Sequence, residues 1–200
     1  QAIGAMPKDF SDGFVIAISE RNLAKALGFG LLYGMGAPAF QDYAANSYGV
    51  DMSLEQATQH RSKYFRLYSG LRRWQGEQSS ASISTYSAST RYGRCVECRK
   101  PDGSYHYTRS LNVPIQGSCA DALHEALARL PAALAGLDAH PVIIVHDEII
   151  LDTSEADAAV AAERLADVMA EAFLAVFPEA KTMSGLTESA IGDTWADTKA

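Results

Sequence analysis

Nothing in the sequence is long and apolar enough to cross a membrane. No hydrophobic run approaches the ~20 residues that a bilayer-spanning helix needs, so no membrane partner is expected. Cysteine is scarce. Cys95, Cys98 and Cys119 are an odd count, which points to reduced thiols rather than a disulfide framework. Cys95-Val-Glu-Cys98 has the spacing of half a zinc site, and His106 is near, but a second ligand pair is missing. Free thiols on a hairpin are the expectation and zinc the alternative. Positive charge is also in short supply. Seventeen Lys and Arg face 24 Asp and Glu, a net charge of −7, which for the chain as a whole argues against a nucleic-acid surface. No internal repeat suggests a modular array. Position 1 is not Met, and the opening QAIGAMPKDF is expected to be a cut within a longer reading frame.

The charge that is present is unevenly placed. Residues 61–109 hold ten Lys and Arg against three acids, Glu77, Glu97 and Asp102, so this segment is strongly basic between acidic flanks. Such an asymmetry suits a surface that meets phosphates, or else a solvated basic face. The chain is 48% hydrophobic, enough for a real core, and its 200 residues suit one domain or a piece of a larger one.

Residues 1–18 have no regular pattern, and a helix is expected over about 19–34. Gly36, Pro38 and Gly49 punctuate the next stretch. Ser53 then begins a second helix with Gln56 at the capping-box position. Ala57, Tyr64, Phe65, Tyr68, Leu71 and Trp74 recur along it at helical spacing, with Arg61, Arg66, Arg72 and Arg73 on the other face. The Ser-rich residues 78–90 read as a helix end or a strand. Tyr92 to Tyr107 reads as a hairpin turning at Pro101-Asp102-Gly103. Beyond Pro114 a helix is expected to about residue 130. Residues 141–152, PVIIVHDEIILD, are two β-branched runs around a two-residue centre, hence a hairpin with His146-Asp147 at its tip between buried strands. Ser154 is expected to cap a helix of about 155–177, with Asp157 in its first turn. Thr187 to Ile191 reads as a last short strand, and Trp195 as an anchor near the end.

Arg21, Lys25, Phe29 and Tyr33 stand at strict four-residue intervals. On a helix they form one gently spiralling stripe roughly 18 Å long, cations first and aromatics after. That length suits a triphosphate at one end and a base and sugar at the other. The plainer alternative is a core face of Leu23, Leu27, Leu31 and Leu32 with solvated cations opposite. Gly28, Gly30 and Gly34 tip the balance. Each interior glycine costs on the order of 1 kcal/mol relative to alanine, so a close approach or a bend is expected there.

The stripe resembles the fingers-helix motif of family A DNA polymerases, Arg-x-x-x-Lys-x-x-x-Phe-Gly-x-x-Tyr-Gly, met here as Arg21, Lys25, Phe29, Gly30, Tyr33 and Gly34. Family members more often carry Asn at the place of Gly28. Asn112-x-Pro114-x-Gln116-Gly117-x-x-x-Asp121 resembles the family's segment leading into a palm helix that faces the primer–template. Many members place an Arg four residues before that Asn; here Thr108 holds the position and Arg109 follows. Thr90-x-x-Gly93-Arg94 resembles a family turn loosely. The tip His146-Asp147-Glu148 resembles the family's catalytic palm hairpin. Without the resemblance, Asp147 is a carboxylate on a turn, suited to a divalent ion or merely to turning, and a nucleotidyl-hydrolase His-Asp motif is a further option.

The resemblance, which runs from about Arg21 to the end, implies an α+β fold: helical fingers plus part of an antiparallel-sheet palm with packed helices. It implies residues 1–18 as a lead-in, 19–90 as fingers and 91–200 as a palm portion. Arg21 and Lys25 would hold the triphosphate of a deoxynucleoside triphosphate and assist catalysis. Phe29 would pack on the sugar, and Tyr33 would shape the pocket for the nascent pair. Asn112, Gln116 and His146 would meet primer–template DNA. Asp147 would be a catalytic Mg²⁺ ligand, with Glu148 nearby. The family's second catalytic Asp comes from a strand well upstream. Asp9-Phe10-Ser11 opens like that motif but lies only twelve residues before Arg21 and lacks the Gln and Glu that should follow, so it is not taken as the equivalent. The expected partners therefore include N-terminal polymerase segments on the same or a separate chain, and the expected setting is the cytoplasm of a bacterial cell or phage-infected host. The alternative is a catalytically inactive DNA- or nucleotide-binding relic, or a split-polymerase subunit.

Overall fold

The structure is a computed structural model that describes residues 18–182 and 185–198. It is α+β, mostly helical with two small antiparallel sheets, and residues group into two compact units. Of the described residues, one unit comprises those up to Ala88 together with Cys95–Val113; the other comprises Ser89–Arg94 and those from Pro114 onward.

In the first unit, helix α1 (Ile18–Leu32) ends two residues earlier than its pattern suggests. Tyr33 and Gly34 form a turn, because Gly34 adopts a left-handed φ of +81° that a helix does not use. The punctuated stretch that follows is a helix, α2 (Ala37–Tyr48). Pro38 sits in its first turn, where the missing N–H is no loss, and left-handed Gly49 closes it by donating to Ala44 and Ala45 carbonyls. Gly and Pro here bound a helix rather than interrupt a loop. Helix α3 (Leu54–Leu67) starts with the expected reciprocal capping box of Ser53 and Gln56. The single long helix expected here breaks at Tyr68 (φ −106°, ψ 57°), and α4 (Ser69–Ile83) follows. A core of Ala26, Leu27, Leu31, Phe40, Ala44, Ala57 and Phe65 joins α1, α2 and α3. Phe40 and Leu31 are completely buried, each worth about 2–3 kcal/mol of apolar burial.

The Ser-rich stretch serves as both its readings: α4 runs into it, and β1 (Ser87–Ser89) ends it. β1 pairs with β2 (Cys95–Glu97). The turn at Pro101-Asp102-Gly103 is present, bracketed by an Arg99–Tyr105 bridge, but the strand that pairs with β2 lies upstream of it. Helix α5 (Tyr107–Asn112) begins before the expected start, then passes into a π-helical turn at Val113–Gly117 and on into α6 (Ser118–Ala133). Pro114 therefore sits inside a helical run instead of preceding one. Cys98 packs with Ala88 and Val113, and burial pushes its thiol above the ordinary range. Cys95 and Cys119 are exposed, and all three thiols are unbridged.

In the second unit, β3 (Ala139–Val145) and β4 (Glu148–Thr153) form an antiparallel hairpin. Helix α7 (Ala158–Val176) packs on α6. Ala126, Leu130, Leu134, Ala139, Ile149, Ala161, Val168 and Ala172 form the shared core. The cap of α7 lies three residues beyond the expected Ser154. Asp157 holds the N-cap position, and its carboxylate accepts from the Asp138 amide (2.8 Å) and the Ser154 hydroxyl (3.2 Å), tying the hairpin's entry to the helix start. Thr187–Ile191 is not a strand. Its backbone has no neighbouring strand among the described residues, and a strand needs one to pair its N–H and C=O groups. No helix among the described residues is long and apolar enough to cross a membrane.

Candidate functional site

Three of the four stripe residues lie on α1. Arg21, Lys25 and Phe29 are exposed, with Phe29 52% accessible, while Ala26, Leu27, Gly30 and Leu31 are buried behind them. Of the four leucines in the plainer alternative, Leu27 and Leu31 do form the core, Leu23 packs against it and Leu32 is half-buried, and the same burial turns the cations and Phe29 outward together. Tyr33 is half-buried in the turn just beyond the helix.

The three glycines have three different explanations. At Gly30 an added Cβ would lie 3.2–3.3 Å from Tyr43, Met35 and Phe40, so glycine permits the close approach of α2. At Gly34 a Cβ would stand 2.5 Å from the Tyr107 ring and 2.9 Å from Leu111, in a backbone conformation that itself favours glycine. Around Gly28 there is open space among the described residues, and none of them comes close enough to require glycine there.

The end of α1 is held by distant side chains. Buried Gln75 of α4 donates from Nε2 to the carbonyls of Leu31 and Leu32, both at 2.8 Å. Arg61 of α3 donates to the Met35 carbonyl (3.2 Å) and lies over the Phe65 ring.

The hairpin tip is as expected. Val145 pairs with Glu148, leaving His146 and Asp147 as a two-residue loop, both exposed. His146 takes a left-handed φ of +57°, a position where hairpin loops prefer glycine or asparagine. Holding a histidine there costs about 1–3 kcal/mol, and such strain collects at functional sites. Glu148 is half-buried, with the Trp195 indole N–H 3.5 Å from its Oε1. Trp195, exposed in a short 3₁₀ turn, thus reaches the hairpin through its indole N–H. The strands flanking the tip differ. Ile149 of β4 enters the core, but Val142, Ile143 and Ile144 of β3 are 55%, 43% and 50% exposed, next to a bulge between Pro141 and Ile143. The expectation of two buried strands therefore fails for β3, which no described element covers. Cys119 in the first turn of α6 lies within electrostatic reach of the tip: although its surface is exposed, partial desolvation by its neighbours, then the Asp147 charge, pushes its thiol up.

Asn112 ends α5, half-buried, and Gln116 is exposed in the π-helical turn. A π-helical turn bonds its carbonyls irregularly, and such turns recur at functional sites. Here side chains of the second unit take up the slack. Ser118 donates to the Pro114 carbonyl (2.6 Å) and accepts the Arg91 amide (2.9 Å). Arg94 donates to the Gly117 carbonyl (3.0 Å) and to buried Asp121 (2.7 Å), whose second oxygen is buried without a hydrogen-bond partner among the described residues. Arg91 further engages Glu179 in a bidentate pair and lies over Phe177. Arg94→Ala is expected to destabilise the protein by about 2–3 kcal/mol in urea unfolding, because it strands a buried carboxylate while its own half-exposed side chain moderates the loss. Arg94→Lys should recover little, lacking the planar fork. Ser118 and Gln75 were missed in the sequence because their partners are backbone groups, which leave no side-chain signature. Arg94 and Asp121 were visible only as members of separate motifs.

Among the described residues, no three His, Cys, Asp or Glu side chains converge as a metal site. Asp147 is one exposed carboxylate, fit to be one ligand and not a complete centre.

The sequence profile of DNA polymerase family A matches residues 14–197. DNA polymerase I of Aquifex aeolicus is 32% identical over 184 residues, covering 90% of this chain and 30% of that protein. The thermostable DNA polymerase I of Thermus aquaticus is 29% identical, covering 90% of this chain and 21% of its own length. A solved structure of the POL domain of Pol1 from M. smegmatis, in complex with DNA primer-template and dNTP, superposes with a TM-score of 0.64 at 27% identity, over 76% of this chain and 27% of that one. The chain thus spans under a third of these relatives' length, and with nearly all of it matched by the family profile, it belongs to the family A DNA polymerases.

Proposed function

We propose that this chain is the fingers-and-palm portion of an enzyme that adds deoxynucleotides to a primer 3′-end on a DNA template. The observation that carries the reading is α1: two exposed cations and an exposed phenylalanine on one face of a helix whose opposite face is core. Arg21 and Lys25 are about 6 Å apart along the axis, and Phe29 is another ~6 Å on. In this reading the guanidinium and ammonium neutralise the triphosphate, Phe29 packs on the sugar, and Tyr33 bounds the pocket where the new base pair forms. The helix contributes positioning and charge stabilisation without any covalent step. Asn112, Gln116 and His146 meet the primer–template, in keeping with an interface that reads duplex shape rather than sequence.

Asp147 serves as one carboxylate ligand for Mg²⁺, and a further carboxylate comes from outside the described residues, where Asp9 also lies. The ion supplies charge neutralisation at the reacting phosphate when bound. What this chain's own residues do is hold the nucleotide along α1 and offer the Asp147 oxygen from a rigid two-residue turn.

Arg21→Ala and Lys25→Ala in the full-length protein are each expected to weaken deoxynucleoside triphosphate binding by about 10- to 100-fold, the range of a lost charge-assisted hydrogen bond. Primer–template affinity should be unchanged. Nucleotide titration of the protein–DNA complex measures both, and unaltered nucleotide affinity in the two variants would remove the basis of the reading.

A further inference from the structure

A glutamine buried between helices is an expensive choice, since each of its polar atoms must be satisfied away from water. Gln75 is 5% exposed, and its one amide group spends both hydrogens on consecutive carbonyls, Leu31 and Leu32, forty-four and forty-three residues away. Those carbonyls belong to the last turn of α1, where a helix has no N–H of its own left to offer. The Leu31 carbonyl also receives the Gly34 amide at 3.1 Å, and the Gly30 carbonyl the Met35 amide at 3.3 Å. Tyr33 is the next residue after Leu32. Immediately beyond it the Tyr107 ring and Leu111 side chain lie so close to Gly34 that no Cβ fits between. The backbone is therefore fixed on both sides of Tyr33, by a hydrogen-bonded clamp from α4 before it and by a packed ring from α5 after it. Any shift of the Tyr33 backbone must therefore disturb the Gln75 hydrogen bonds or the packing of Tyr107 and Leu111 on Gly34.

We propose that Gln75 is a positioning residue for nucleotide selection: by pinning the last two carbonyls of α1 it sets where Tyr33 stands, and so how closely the pocket fits a correct base pair. The inference rests on the reading of α1 as the nucleotide-gripping helix. It assigns to Gln75 an effect on selectivity rather than on DNA binding. Loss of the clamp loosens the wall of the pocket without touching the cations that hold the phosphates.

The test compares wild type, Gln75→Leu, Tyr33→Ala and the double variant in the full-length protein, reading kcat/KM for correct and mismatched nucleotides, primer–template Kd and the melting temperature. Gln75→Leu keeps an apolar side chain of similar bulk between the helices and removes the donor. It is expected to lower discrimination between correct and mismatched nucleotides by roughly tenfold, with DNA Kd unchanged. In the Tyr33→Ala background the same substitution should have no further effect on discrimination, a result that general destabilisation would not produce. Should Gln75→Leu fail to fold, Gln75→Ser, which leaves room for a bridging water, makes the same comparison. A variant that melts lower yet discriminates as well as wild type overturns the proposal, as does an undiminished effect in the Tyr33→Ala background. If Lys25→Ala leaves nucleotide affinity unchanged, the reading of α1 falls and the proposal falls with it. If Lys25→Ala weakens binding while Gln75→Leu leaves selectivity intact, only the role of Gln75 is refuted.

Discussion

Asp147→Ala is expected to reduce primer extension by about a thousandfold or more, the scale of removing one group placed to stabilise charge at a reacting phosphate. The fold should hardly notice. Asp147 is exposed on a two-residue loop, and surface substitutions of that kind fall within about 0.5 kcal/mol. The strain at this turn is carried by His146, not by Asp147. Primer extension by the full-length protein, run beside a thermal melt and a DNA-binding titration, separates chemistry from folding and binding. The expected pattern is lost extension with melting and DNA affinity retained. Normal extension by a folded Asp147→Ala protein would exclude the hairpin tip as the catalytic carboxylate.

Gly34→Ala should be the most damaging single-methyl change in the first unit. Two penalties fall on one atom. The left-handed backbone at φ +81° costs a residue with a Cβ roughly 1–2 kcal/mol. That Cβ would also meet the Tyr107 ring at 2.5 Å and Leu111 at 2.9 Å, and Leu111 is completely buried and has nowhere to retreat. Overpacking of this sort typically adds 1–3 kcal/mol. A total loss of about 2–5 kcal/mol is expected, read as a fall in the urea midpoint at unchanged slope. Gly28→Ala is the control: it lies mid-helix in open space, and should stabilise by up to about 1 kcal/mol. If the two substitutions behave alike, the packing of α5 against the end of α1 is not what demands glycine. Because Gly34 adjoins Tyr33, Gly34→Ala should also weaken nucleotide selection, in parallel with Gln75→Leu.

The elements governed by short-range rules were legible in the sequence. The Ser53–Gln56 capping box, the two-residue hairpin loop at His146-Asp147 and the outward stripe of Arg21, Lys25 and Phe29 each depend on residues no more than eight positions apart, so their spacing alone carries the signal. Readings failed where a choice hung on partners remote in the chain. Gly36, Pro38 and Gly49 read as breaks because the apolar face of α2 is recognisable as a helix face only once Phe40 and Ala44 meet Leu27 and Leu31. Thr187–Ile191 has the composition of a strand, but pairing needs a neighbouring strand and composition does not supply one. Val142, Ile143 and Ile144 look like a buried run, yet their burial depends on what covers that face.

By itself, then, the sequence determined the kind of chain this is and the local shape of its candidate site elements: a helix with two cations and an aromatic in line, a carboxylate raised on a tight turn, and the family to which that combination belongs. Only the tertiary structure decided where α1 ends, why packing demands glycine at Gly30 and Gly34, and which side chains hold the end of α1 and the π-helical turn in place. The physical reason is range. Helix periodicity, caps and turns are settled by sterics and hydrogen bonds within a few residues, whereas Gln75 finds its carbonyls more than forty residues away and Arg94 finds Asp121 across twenty-seven, through packing that no local pattern encodes.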